Sequence, residues 1–235
     1  MTSAPTASST VDSGSAGRPE RPAAARVAPL LAAGALVAGP LLWAGGILTA
    51  PPQASEADAD YIASLARDLR MTEISALLLH YGNIAIGVGV LAAPALVRGA
   101  KGAWLALVGA VLTMIGFVNV SGMILADWWN ASTGRQLTSE QAVAVFQGVK
   151  QSPLLFLWDG TMVFSLLGPI LLFAGLARAG VVGWWTVPVF VAGAVGLMVL
   201  GAYSTVVTSA LVLVGFAPFA IVGLRLVQRS RLARA

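Results

Sequence analysis

The sequence predicts an all-α, polytopic membrane bundle of six transmembrane helices. Three observations carry that reading. Hydrophobic residues make up 57% of the 235 positions and charged residues only 10%, against about a quarter charged in soluble domains. Mean hydropathy is +0.83. Six apolar runs approach or exceed the ~20 residues that cross a ~30 Å hydrocarbon core at 1.5 Å per residue. They are unbroken runs of Leu, Ala, Val and Gly rather than ten-residue alternations, so the backbone satisfies itself in helices and not in a barrel.

Residues 1–26 contain small polar residues, Pro and Gly, with no bulky apolar face. Such a segment buries too little surface to offset its ordering entropy, and a disordered cytoplasmic tail is expected. The transmembrane domain follows over 27–227, with spans at 27–49, 74–97, 103–126, 154–177, 183–202 and 205–225, and a basic tail over 228–235. The last two spans share one apolar stretch split by Tyr203-Ser204-Thr205, which predicts either a tight helical hairpin or one long tilted helix with a break. The first run is of spanning length rather than the shorter core of a secretory signal, so it is read as a span.

The basic residues orient the bundle. With the N-terminus inside, Arg18, Arg21, Arg26, Arg98, Lys101, Arg178, Arg225, Arg229, Arg231 and Arg234 are cytoplasmic, and Arg67, Arg70, Arg135 and Lys150 are outside. Glu56, Asp58, Asp60, Asp68, Glu73, Asp127 and Glu140 all fall outside. This matches the positive-inside bias of a plasma-membrane protein with both termini cytoplasmic. Trp104, Trp184 and Trp185 form one interfacial belt, and Trp128, Trp129 and Trp158 the other.

The spans read as three hairpins running in the same direction. Gly34-Ala35 aligns with Gly109-Ala110 at an offset of 75, and LLLHYGN at 77–83 resembles LFLWDGT at 155–161 at an offset of 78. That is a parallel repeat rather than an inverted one. Two outer loops carry capping-box spacing, Ser55 to Asp58 and Thr138 to Gln141. Ile62, Leu65 and Leu69 follow the first at helical spacing, and Ala142, Phe146 and Val149 the second. Two short extracytoplasmic amphipathic helices are therefore predicted, over the outer mouth or in the headgroup layer. Small-xxx-small pairs at Gly34/Ala38, Ala35/Gly39, Gly89/Ala93, Ala106/Ala110 and Ala192/Gly196 predict close helix packing, within the chain or between copies in a homo- or hetero-oligomer.

The composition excludes several chemistries. There is no cysteine and one histidine, so disulfides, thiolate centres and multi-His metal sites are ruled out, and no metal or cofactor is expected. A net charge of +4 distributed along membrane loops is no nucleic-acid patch, and no such partner is expected. Phosphate-binding, nucleophile-elbow and metalloprotease motifs are absent from the sequence.

Polar residues inside hydrocarbon are costly and mark candidate sites. His80 lies about seven residues, roughly 10 Å of rise, inside the second span, and Asp159 at similar depth in the fourth. Tyr81, Asn83, Asn119, Trp158, Ser121 and Thr161 lie at comparable levels. Together they suggest an outward-facing polar cup that binds or senses a membrane lipid or small amphiphile. His80 and Asp159 either meet as a His–carboxylate pair or face different neighbours. Asn83 and Asn119 also fit interhelical hydrogen bonding, and Asp127-Trp128-Trp129-Asn130 an interface anchor.

The pattern over 27–228, with Leu79-His80, Pro94 and Arg98, and Gly168-Pro169 and Arg178, resembles a group of uncharacterised six-span membrane proteins of actinobacteria. The resemblance implies fold and location, not activity. An alternative reading is an intramembrane enzyme such as an isoprenoid cyclase, which small multi-span cyclases resemble in size and hydropathy. Asp159 or Asp127 would then be the catalytic acid, and Trp158, Trp128, Tyr81 and Phe156 would stabilise the cation.

Overall fold

The computed structural model describes residues 23–55, 57–200 and 204–232. The expected N-terminal tail up to residue 22, Glu56, Tyr203 and residues 233–235 lie outside the described residues. Among those described, the elements are helical and none is a strand. Helix α1 is Ala23–Thr49, α2 Asp58–Arg67 and α3 Leu69–Gly89, the last continuing as a 3-10 turn over Val90–Leu96. Then come α4 Ala103–Ile124, α5 Ala126–Gln136, α6 Ser139–Lys150, α7 Leu155–Asp159, a 3-10 turn Gly160–Val163, α8 Phe164–Arg178, α9 Thr186–Leu200 and α10 Thr205–Leu232.

Among the described residues, five stretches are long and apolar enough to cross a membrane: Val27–Thr49, Leu69–Leu96, Ala103–Gln136, Leu155–Arg178 and Thr205–Leu232. The expected fifth span corresponds to the shorter α9, whose end adjoins residues outside the description. Two boundaries differ from expectation. The third span does not stop at 126, because the helix resumes as α5 and runs to Gln136. The second begins at Leu69, where Asp68 accepts from the Met71 amide and caps it. Side chains such as Leu31, Leu41 and Val214 point outward, 60–70% exposed, as a lipid-facing surface requires.

The predicted hairpins are present as antiparallel pairs: α1 with α3, α4 with α8, and α9 with α10. The pairs join side by side, α3 to α4, α8 to α9 and α10 to α1. The six helices therefore close into a ring.

Glycine builds the seams. In the first hairpin Gly39 and Gly46 of α1 pack on Gly82, Ile86 and Leu79 of α3, and Gly82 and Gly89 of α3 on Trp43 and Leu36; in the second, Gly109 and Gly116 of α4 pack on the backbone of Leu172 and Ser165, and Gly168 and Gly175 of α8 on that of Thr113 and Ala106. Each pair is seven residues apart, the period that keeps small residues on one seam of two gently crossing helices. A Cβ on Gly116 would sit 2.1 Å from the Ser165 nitrogen, and one on Gly168 2.3 Å from the Thr113 nitrogen. Backbones this close gain dispersion contacts that longer side chains would prevent, and lipid offers no competing hydrophobic drive. In the third hairpin Gly193 faces Gly215 at 2.4 Å by the same measure. Of the small pairs expected from sequence, Gly39, Gly89, Ala106 and Gly196 lie in these seams, whereas Gly34 has nothing within 4 Å of its Cβ position.

The turn from α8 into α9 ends in a Schellman motif. Gly180, at φ 73, lets Val181 donate to Leu176 and Gly180 to Ala177.

At the opposite end of the bundle the segments that carry α2 and α6 come together. α2 packs on α5 and α6 through buried Ile62 and Leu65, so its apolar face covers protein rather than headgroups. Thr138 and Gln141 complete the expected capping box of α6. The first expected box does not form. α2 starts after Ala57 without a side-chain cap; Ser55 accepts from the Ala57 amide and donates to Asp60 instead. The helix begins at Asp58, two residues later than that spacing requires, and the Asp58 carboxylate pairs with Lys150 of α6.

Candidate functional site: an aromatic cavity inside the helix ring

Closing six helices leaves the centre to be filled, and phenylalanines fill one half of it. Phe173, Phe190 and Phe219 are almost fully buried. Their rings, with those of Phe117 and Phe216, stand 5.0–5.9 Å apart in mostly tilted or edge-on pairs, the arrangement that the ring quadrupoles favour. Toward the capped end the filling stops and a cavity of about 150 Å³ remains.

Every helix of the ring contributes to its wall: Trp43 from α1, Asn83 from α3, Phe117 from α4, Ser165 from α8, Phe190 from α9 and Phe216 from α10. Met198 of α9, 80% exposed, also lines it, so the cavity reaches the lipid-facing side of the ring there.

The position of Trp43 follows from its neighbours. Ser209 of α10 donates to the Ala44 carbonyl and Ser75 of α3 to the Gly46 carbonyl, each at 2.8 Å. These bonds hold α1 at the level of Trp43. Gly82 leaves room for the indole: a Cβ there would lie 3.1 Å from Trp43 Cδ1. The ring then packs against Phe216 at 5.5 Å.

Two of these lining residues each carry a side-chain polar atom buried without a partner, Trp43 Nε1 and Asn83 Oδ1. Asn83 is fully buried, and its Nδ2 donates to the Leu79 carbonyl at 2.8 Å. That carbonyl only accepts, so the amide nitrogen must face it and the oxygen is the free atom. Each unsatisfied buried group costs about 1–3 kcal/mol.

The polar residues singled out from sequence divide among three places. Asn83 alone lines the cavity. His80 turns to α4, where its Nδ1 shares a 2.6 Å hydrogen bond with Ser121 Oγ. Tyr81 lies beside the His80 ring but is 58% exposed. Asn119 donates to Thr161 at 2.6 Å and accepts from Trp158 Nε1 at 3.2 Å, which ties α4 to the break between α7 and α8. Asp159 ends α7 exposed. Of the two readings of His80 and Asp159, the structure has the separate one: Ser121 is the histidine's partner, and the one ion pair among the described residues is Lys150–Asp58.

Asp127 serves the cap. It accepts the Tyr61 hydroxyl hydrogen across the α2–α5 contact. Burial pushes the Tyr61 phenol well above its ordinary range, and the Asp127 charge adds to that. Tyr61 also packs on Phe146 of α6 at 5.5 Å, over which Lys150 Nζ sits at 4.3 Å. The Lys150 ammonium bonded to Asp58 holds that carboxyl below its usual value.

Trp43, Phe117, Ser165, Phe190 and Phe216 escaped the sequence reading. Trp43 carried a usable signal: it lies well inside its span, away from both interfacial belts, and an indole N–H in hydrocarbon needs a partner. The phenylalanines carried none, since an apolar residue in an apolar span marks no face. No protein-family model, curated protein or solved structure matches this chain.

Proposed function

We propose that this multi-pass membrane protein binds or senses a small amphiphile in the plasma membrane, and that the ring cavity is the binding site. One observation carries the proposal: a cavity of about 150 Å³ walled by all six helices. Protein interiors rarely keep voids larger than a water molecule, and an apolar cavity of this size accommodates a benzene-sized group. The site lies deeper than the cup expected from the sequence, among aromatic walls that suit a hydrocarbon body. The exposure of Met198 supports entry from the lipid side.

The distribution of basic residues supports cytoplasmic termini. Gly34 and Ala38, exposed on α1, leave a small-residue face for a partner helix. The cyclase reading has less support, because neither Asp159 nor Asp127 lines the cavity.

Native mass spectrometry of the full chain, purified in mild detergent, tests the proposal against an Ala194→Leu variant that fills the wall. A bound small-molecule mass on the wild type, lost in a variant of unchanged Tm, is expected. No bound mass on either protein, with identical lipid extracts, would refute it.

A further inference from the structure

We propose that the cavity takes an amphiphile tail first: a benzene-sized apolar group lies against the buried phenylalanine rings, and the polar end stays outside, past Met198. This rests on the reading of the cavity as a ligand site and names which part of the ligand enters and what that part must lack.

The wall sets the direction. Phe190, Ala194, Leu197 and Met198 all line the cavity. They stand at the i, i+4, i+7 and i+8 positions of one stripe along α9. Phe190 is buried, Ala194 and Leu197 are partly exposed, and Met198 is largely exposed. The rise from Phe190 to Met198 is roughly 12 Å at 1.5 Å per residue. The cavity therefore runs along α9 from a closed aromatic end, completed by buried Phe117 and Phe216, to an open one. Met198 stands just before the end of α9 at Leu200. The turn from α8 into α9 is at the other end of the bundle, so the mouth is on the capped side. A lipid of that leaflet already lies this way, with its polar end at the surface and its tail toward the midplane.

The wall also sets the chemistry. No Asp, Glu, Lys, Arg or His lines it, so a charge drawn inside would lose its water uncompensated. Asn83 Nδ2 is spent on the Leu79 carbonyl, and Asn83 Oδ1 and Trp43 Nε1 present essentially no accessible surface. Among the lining side chains that leaves Ser165 Oγ, whose own hydrogen goes to the Met162 carbonyl. A hydroxyl at the inner end would exchange several water contacts for that single acceptor. A flat or branched hydrocarbon instead gains dispersion contacts and ring packing. The entering group is an unsubstituted aryl ring or a terminal isoprenoid unit, the size that such a cavity holds dry.

Toluene, ω-phenylhexanoate and ω-(p-hydroxyphenyl)hexanoate separate these claims. The two hexanoates share charge and chain and differ by one hydroxyl at the end that would enter. Each probe is titrated into the full chain, labelled with ¹³C-methyl methionine, in detergent. Affinities are corrected for micelle partitioning, and the Met198 methyl signal is assigned through Met198→Leu. Toluene and ω-phenylhexanoate are expected to bind and shift that signal, with ω-phenylhexanoate roughly tenfold tighter or more than its hydroxylated counterpart. Ala194→Leu, with unchanged Tm, should abolish the binding of all three. Equal affinities of the two hexanoates would overturn the apolar assignment and leave the ligand site standing. Binding of toluene without ω-phenylhexanoate would overturn tail-first entry and also leave the site standing. Binding of none of the three would overturn both readings.

Discussion

Substituting Gly109 by alanine tests the architecture most directly. The added methyl would lie 2.2 Å from the backbone nitrogen of Leu172 and 2.6 Å from its Cα. Contact becomes ordinary only at 3.4 Å, so α4 and α8 would have to separate by about 1 Å along a seam that Gly116, Gly168 and Gly175 keep equally tight. The obstacle is backbone, not the end of a flexible side chain, so no rotamer change relieves it. Overpacking costs about 1–3 kcal/mol, and a backbone clash belongs at the upper end. Alanine recovers about 1 kcal/mol of helix propensity, leaving a net loss of about 2 kcal/mol. At 2–4 °C per kcal/mol for a chain of this size, Tm falls by roughly 4–8 °C. Gly34→Ala is the matched control: it gains the same propensity and meets nothing within 4 Å, so it should hold or raise Tm. Thermal unfolding of both variants in one detergent, followed by tryptophan fluorescence, provides the comparison. Equal Tm values would show that the α4–α8 seam is not packed backbone to backbone.

Other predictions concern the cap and the topology. Tyr61→Phe leaves the Asp127 carboxylate without its donor at the α2–α5 contact, a change worth about 1.5–3 kcal/mol; amide exchange in residues 58–67 should quicken, and unchanged exchange would remove that bond from the account. Leu65→Asp places a charge on the buried face of α2, and exchange across 57–70 should rise further still. Because the Asp58 carboxyl is held below its ordinary value, its contribution is present above pH 3.8 and is lost as pH falls through the lowered value. That pair is exposed and screened, so Lys150→Ala should leave Tm unaltered at pH 7, and a clear drop would contradict the reading. Single cysteines at Ser55, Ser139 and Ser230 have no native thiol to compete with; the first two should label from outside intact cells, and outside labelling of Ser230→Cys would reverse the proposed orientation.

Composition and periodicity alone determined the helical membrane class, the hairpin order and the two short connecting helices α2 and α6, because these follow from how much apolar surface each segment must hide. The capping box of α6 was legible for the same reason: Thr138 and Gln141 satisfy amides within one turn of their own helix. At Ser55 the same spacing made no cap, because α2 begins only at Asp58 and Ser55 bonds to Ala57 and Asp60 instead. Which face of each span points inward lay beyond the sequence. A span apolar on every side has no moment to orient it, so Phe117, Phe190 and Phe216 could not be told from lipid-facing neighbours. Asn83 and His80 were visible as polar residues in hydrocarbon, yet only the rotation of α3 decided that one enters the ring while the other turns to Ser121. That rotation is set by glycines spaced seven apart, which let two backbones touch along one line and thereby choose which side chains remain for the centre.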